Sequence, residues 1–237
     1  MTFRVSLQLY TVREAISIDF LDGLASVSEI GYHEVEFAGF GDATAEQAGK
    51  RLEALGMRAS GAHVPFSVLS DPLSILSDMQ AISCTEATLP WVPEAYRADW
   101  KGTAARLDEA AIALGEHGIA FGYHNHAFEF ENGGYTKLTQ AANKTNFQLD
   151  VFWAEKAGED AVSWIEKLSG RMPSIHCKDL GIDGDDIEIG AGVLDWRAIL
   201  EAAEKAGVTT LVTEMDNPRR TPMESAKACL DGIKLAL

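Results

Sequence analysis

Short runs with strand character alternate with amphipathic helical stretches along the whole chain, and this alternation repeats eight times. The strand-like runs, apolar or alternating and bounded by turn residues, are Arg4–Tyr10, His33–Phe37, Arg58–His63, Glu86–Pro90, Ile119–His126, Phe147–Val151, Ser174–Lys178 and Thr209–Glu214. The pattern predicts helices near 19–30, 43–55, 72–82, 98–117, 135–143, 159–169, 195–206 and 222–236. In the stretch 98–117, Leu107, Ala110, Ala111 and Leu114 share one stripe while Arg106, Glu109 and Glu116 fall off it. One face of that helix can therefore meet a sheet and the other water. Gly31, Gly56, Gly118 and Gly207 each stand where a helix should stop and a strand begin, a place where the left-handed backbone is cheap without a Cβ. Eight units in 237 residues give about 30 residues each, which fits an α/β chain folded as a single (β/α)8 barrel over residues 1–237. A doubly wound open sheet would want a glycine-rich phosphate loop after the first strand, and Leu9-Tyr10-Thr11-Val12-Arg13-Glu14 stands there instead.

Composition narrows the partners. The chain is 46% hydrophobic, enough for one sizeable core, and carries a formal charge of −16. Nucleic acids and anionic membranes are held by clusters of Lys and Arg, so this acidity excludes both and leaves a small neutral or metal-bridged substrate. No run approaches the roughly 18 apolar residues of a membrane helix, and Met1-Thr2-Phe3-Arg4-Val5-Ser6 has no signal architecture, so a cytoplasmic protein is expected. Cys84, Cys177 and Cys229 are odd in number and widely spaced, which predicts buried reduced thiols.

In a barrel the active site forms at the C-terminal ends of the strands. Polar residues gather at those ends here: His63, then Tyr123-His124-Asn125-His126, then Asp150, then His176-Cys177-Lys178-Asp179, then Glu214-Met215-Asp216. Asp150, His176 and Glu214 come from three successive strands and can converge above the barrel mouth. Two carboxylates and an imidazole suit one divalent ion such as Mn²⁺, Co²⁺, Zn²⁺ or Mg²⁺. The bland reading is a hydrogen-bonded polar layer capping the barrel, and it is disfavoured because buried carboxylates without a cation or matching donors are costly.

The chain resembles the xylose-isomerase-like TIM-barrel sugar phosphate isomerase/epimerase family, which includes inosose dehydratases and is related to family 2 apurinic-site endonucleases. The resemblance spans nearly the whole chain. It rests on Leu7-Gln8-Leu9-Tyr10-Thr11-Val12-Arg13, Tyr123-His124-Asn125-His126-x-Phe128-Glu129-Phe130, Leu149-Asp150-x-x-Trp153, His176-x-Lys178-Asp179, Gly190-x-Gly192 with Asp195-Trp196, and Glu214. It implies one divalent metal held from strands 5 to 8, the last three ligands falling on Asp150, His176 and Glu214. Ketose epimerases of the family carry a Glu at the end of strand 5, and this chain departs from that pattern with Tyr123 and His124. The fourth ligand is assigned to His124, with His126 as the competing choice, since alternation along a strand points both to one side. Ala191 is a second departure, where many relatives carry a Glu.

The resemblance further implies a metal-dependent sugar or sugar phosphate isomerase or epimerase that works through an enediolate. Glu214 would be both ligand and base, and the second proton carrier would be His63, His126 or Lys178. Proton abstraction from one side, followed by loss of a β-hydroxyl, would make the protein a dehydratase or lyase on a keto-inositol or keto-sugar. A non-catalytic sugar-binding barrel is the alternative of another class. Glu129, Asn125, Trp91, Trp153 and Glu36 are expected to contact the sugar or polyol, the two tryptophans by stacking, and Asp179 to orient Lys178 or His176. Arg219-Arg220, after the last strand, is a basic pair that could face a phosphate. Homo-oligomers are common among relatives, so the resemblance allows a dimer or tetramer.

Overall fold

A computed structural model describes residues 3–237. Its strands are β1 (Arg4–Gln8), β2 (Glu34–Phe37), β3 (Arg58–His63), β4 (Glu86–Leu89), β5 (Ala120–His124), β6 (Asn146–Asp150), β7 (Ser174–Cys177), β8 (Asp179–Leu180), β9 (Asp186–Ile187) and β10 (Thr210–Thr213). Eight of them close a parallel barrel in the order β1-β10-β7-β6-β5-β4-β3-β2, and β8 and β9 form a small antiparallel pair beyond its rim. The α-helices are α1 (Arg13–Ile16), α2 (Phe20–Glu29), α3 (Ala45–Leu55), α4 (Leu76–Ala81), α5 (Glu94–Arg97), α6 (Trp100–Gly115), α7 (Gly134–Ala141), α8 (Val151–Lys156), α9 (Ala161–Lys167), α10 (Trp196–Ala206) and α11 (Pro222–Ala236). Each of the eight units read from the sequence is present. The four punctuating glycines have φ of +104°, +65°, +76° and +86°, the left-handed values their positions demand.

Alternation within the strands sorts side chains between two buried faces. Leu7, Val35, Phe37, Leu89, Tyr123, Phe147, Leu149, Ile175 and Leu211 join the apolar core that the helices cover. Residues between them point into the barrel, and here that interior is unusually polar. Ser6 and Ser60 meet there with their hydroxyls 2.6 Å apart. Gln148 Nε2 donates across the barrel to Glu36 Oε1 at 2.7 Å and to Ser174 Oγ at 2.9 Å. Bulky branched residues usually fill such a barrel; a hydrogen-bonded column replaces them, in which Ser6, Ser60, Glu36, Gln148 and Ser174 find partners.

At the base of this column stands Glu86, whose carboxyl burial pushes up to about 7 from 4.5, with Arg4 pulling it back and Glu36 adding to the rise. A folded-state pKa above the unfolded one means that the native protein holds this proton more tightly. Stability contributed by the group is thus complete below about pH 4.5 and is lost as pH rises towards 7. Glu86→Gln should stabilise the protein by about 2 kcal/mol at pH 8 and by almost nothing at pH 4.5. Urea unfolding at the two pH values checks this, and an equal effect at both would contradict it.

The segment after β7 is longer than the even spacing of units suggests. Asp179 organises it, accepting hydrogen bonds from the backbone N–H of Gly190, Gly192 and Leu194 and from Trp196 Nε1 at 2.8–3.2 Å. A Cβ on Gly192 would lie 2.3 Å from Asp179 Oδ1, so the Gly190-x-Gly192 motif exists to let the backbone reach this carboxylate. Asp179 therefore fastens a loop and does not orient Lys178 or His176 as expected. No helix among the described residues is long and apolar enough to cross a membrane.

Candidate metal centre and barrel-mouth site

Strand ends deliver four potential ligands to one place. β5 ends at His124, β6 at Asp150, and His176 and Glu214 lie at the ends of β7 and β10. One ligand atom from each of the four lies within 4.8 Å of all the others, and all four residues are buried. His126 sits beyond the end of β5 and falls outside this group.

Lys178 and His176 bring positive charge among the carboxylates. Lys178 Nζ lies 3.0 Å from Asp150 Oδ2, 2.8 Å from Glu214 Oε2 and 2.7 Å from Asp216 Oδ2. His176 Nδ1 is 2.8 Å from Glu214 Oε2, and its Nε2 is 2.6 Å from Glu36 Oε2. Burial opposes charge on both bases, yet the carboxylates prevail, raising Lys178 further and pushing His176 up to about 10. Burial would raise Glu214, but Lys178 and His176 hold it well below the usual carboxylate range. For Asp150 burial outweighs Lys178 and His176 and its pKa rises. Burial likewise pushes Asp216 up to about 6 against the pull of Lys178.

Two histidines nearby are held neutral. Burial first, then the charges of His176 and His126, press His124 well below its ordinary value. Burial and then Lys178 push His126 down to about 3. A neutral imidazole is what a cation requires as ligand.

The donor set fits a divalent cation. Among the described residues, Glu36, Asp150, Glu214 and Asp216 share the two cations Lys178 and His176, which leaves uncompensated negative charge in a buried place. Asp150 Oδ2, though close to Lys178 Nζ, is not aligned for a hydrogen bond and is buried without one, as is His124 Nδ1. Two carboxylates and two imidazoles are a mixed N/O set of the kind that Zn²⁺, Mn²⁺ and Co²⁺ accept.

Above this group opens a cavity of about 660 Å³, lined by His63, His124, His126, Lys178, Glu214 and Asp216 at its floor and by Tyr10, Ala38, Gly39, Val64, Pro65, Pro90 and Trp91 at its rim. Its size and its few convergent polar groups suit a small ligand. The four expected catalytic residues, His63, His126, Lys178 and Glu214, all reach it, as does Trp91. The other expected substrate contacts lie away from the cavity lining. Glu36, Asn125 and Glu129 are at most 1% exposed and do not line the cavity. Asn125 Oδ1 instead accepts from the backbone N–H of Asp150 at 3.0 Å and so positions the end of that strand. Glu129 accepts from Tyr123 OH at 2.6 Å and from the backbone N–H of His126 at 2.7 Å, fixing the turn that carries His126. Burial pushes its carboxyl up to about 8 in spite of these donors. Trp153 lies behind the cavity, its ring 5.5 Å from Lys178 Nζ.

Gln8, Gln148, Asp216 and Tyr10 are site residues to which the sequence reading gave no role of their own. The signal for the glutamines was present: Arg4, Ser6 and Gln8 form one i, i+2 row and Asn146, Gln148 and Asp150 another, between apolar neighbours.

No protein-family model matches the sequence, and no curated protein does. Solved structures match it closely in shape. A sugar phosphate isomerase/epimerase from Parabacteroides distasonis superposes with a TM-score of 0.83 at 20% identity, covering 98% of this chain and 93% of that one. A D-psicose 3-epimerase from Clostridium cellulolyticum gives 0.74 at 13% identity, with 99% of both chains covered. The probable 3-DHS dehydratase of Bacillus anthracis gives 0.76 at 12%, covering 98% of this chain and 99% of that one. At such identities the likeness speaks for the backbone alone, and it agrees with the closed strand order: this chain has the fold of the xylose-isomerase-like (β/α)8 barrels.

Proposed function

We propose that this protein is a divalent-metal-dependent sugar isomerase or epimerase, with His124, Asp150, His176 and Glu214 as the metal ligands. The observation that carries the reading is the convergence of these four on the floor of a small-molecule cavity, with more carboxylates than cations around them. A divalent ion bound there would polarise adjacent carbonyl and hydroxyl oxygens and so ease formation of an enediolate. Glu214, held ionised and facing the cavity, accepts the proton from the carbon next to the carbonyl. Lys178, held as an ammonium by three carboxylates, keeps a positive charge beside the reacting oxygens. His63 and His126 line the same cavity and are the groups within it that could carry a second proton. Tyr10 and Trp91, 44% and 45% exposed at the rim, offer flat apolar faces to a sugar ring.

Elimination is a second reading, with one observation in its favour. The two carboxylates lining the cavity, Glu214 and Asp216, leave the same strand end, so a strong anionic base is available from one direction. The test is to measure bound metal, then incubate the metal-loaded protein in deuterated water with a panel of ketoses and keto-inositols. Exchange of substrate protons with formation of an epimer or isomer supports the first reading, and an enone or diketone product supports the second. A purified protein that takes up no divalent ion overturns both.

The substrate on this reading is unphosphorylated. Lys178 is the only cation among the cavity-lining residues, and three carboxylates already hold it. Arg219 and Arg220 are turned to Asp183 and Glu188 at 2.7 and 3.5 Å and do not line the cavity. A phosphate dianion would enter a negative mouth with no free partner. A free ketose should therefore surpass its phosphate ester in kcat/KM by about tenfold or more, and equal efficiency in a steady-state comparison would refute this.

A further inference from the structure

We infer that Glu36 is a positioning residue that sets the tautomers of two histidines, holding His176 so that Nδ1 faces the metal ligands and holding His63 by its Nε2–H. The inference rests on the metal reading given above.

Glu36 is 1% exposed and lies beneath the cavity floor. Its Oε2 is 2.6 Å from His176 Nε2 and 3.2 Å from His63 Nε2. The carboxylate itself is pinned. Gln8 Nε2 donates to Oε2 at 2.7 Å, and Gln148 Nε2 donates to Oε1 at 2.7 Å. A Cβ on Gly61 would lie 2.8 Å from Oε1, so the strand beside Glu36 has been pared to backbone where the carboxylate needs room.

These contacts dictate where the ring hydrogens sit. A carboxylate flanked by amide donors on both oxygens is an acceptor, so His176 must present Nε2–H to it. That leaves Nδ1, 2.8 Å from Glu214, as the nitrogen that gives up its hydrogen when a metal binds. For His63 the two partners of Nε2 are Glu36 Oε2 and Gln148 Oε1, the latter at 3.0 Å. Gln148 has turned its amide nitrogen to Glu36 and Ser174, so its oxygen faces His63 and both partners are acceptors. His63 Nε2 therefore carries hydrogen and Nδ1 is the lone-pair nitrogen of a ring that lines the cavity. One buried carboxylate in this way prepares a ligand on one side and a proton acceptor on the other.

The test uses zinc, which is diamagnetic, and the full chain. Glu36→Gln keeps the shape, but its amide cannot satisfy Gln8, Gln148 and both histidines together. Zinc affinity by calorimetric competition should fall about 10- to 100-fold in this variant. An affinity within twofold of wild type in a folded variant would overturn the inference. Where the variant does not fold, long-range ¹H–¹⁵N spectra of wild type read the tautomers directly. Zinc-loaded wild type should show His176 coordinated through Nδ1 with hydrogen on Nε2, and His63 with hydrogen on Nε2. Coordination of His176 through Nε2, or hydrogen on Nδ1 of His63, would overturn it. Should wild type bind no zinc, the metal reading falls, and the His63 spectrum alone upholds or overturns the role of Glu36.

Discussion

Lys178→Met, in protein stripped of divalent ions, should unfold about 3–5 kcal/mol more easily than wild type, and added Mn²⁺ or Co²⁺ should recover most of that loss. Lys178 is 1% exposed, and its ammonium touches three carboxylates at 2.7–3.0 Å. Methionine fills nearly the same volume, so packing changes little, but Asp150, Glu214 and Asp216 lose their common counter-charge. Removing one partner from a buried ionic group leaves the others uncompensated, which costs far more than the pair ever contributed. For a chain of this length the loss corresponds to a fall in Tm of about 10 °C. A metal at the four-residue group would replace the missing charge on two of the same oxygens, so the variant should gain more from metal than wild type does. Thermal unfolding with and without the ion measures both effects. A metal-free variant that melts with wild type would show that Lys178 does not neutralise this cluster.

Glu214→Gln should lower turnover by about 10³-fold or more while leaving the fold intact. Glu214 lies between His176 Nδ1 and Lys178 Nζ, 2.8 Å from each, and faces the cavity. The amide keeps size and one acceptor, but it cannot take a proton from carbon and is a poorer partner for a cation. His176 should respond as well, since Glu36 and Glu214 together hold it up at about 10. With Glu214 neutral, its pKa should drop, because burial then meets one carboxylate instead of two. Steady-state turnover, deuterium exchange into substrate and histidine titration by NMR examine the three consequences. Retention of a tenth of wild-type activity would remove Glu214 from the chemistry.

Much of the architecture was legible in the chain because its determinants are local. Helix periodicity, left-handed glycines and short apolar runs each act within a few residues, and eight such units at even spacing permit few closures. The strand-end positions of His124, Asp150, His176 and Glu214 followed from the same reading, because a parallel barrel places all C-terminal strand ends at one mouth. Strand ends are also what singled out His63, His126 and Lys178, which line the cavity.

Glu36 marks the limit of local reading. As a sequence feature it is a carboxylate near a strand end, and such residues commonly meet water or substrate. Its partners His176 and Gln148 lie 140 and 112 residues away and become neighbours only when the barrel closes. Asn125 and Glu129 make the same point: whether a polar side chain at the rim turns to the cavity or to the backbone of its own loop depends on the fit of that loop. Asp179 likewise looks like a partner for the adjacent Lys178, and only the path of the following loop shows that its carboxylate is filled by backbone donors.

The sequence alone thus determined the eightfold α/β repeat, the end of the barrel where polar chemistry gathers and three residues able to ligate a metal, Asp150, His176 and Glu214. Tertiary structure decided which polar side chains line the cavity and which hold others in place. The physical reason is that backbone periodicity is enforced by neighbours along the chain, whereas the orientation of a buried charge is set by whichever distant groups can satisfy it once water is excluded.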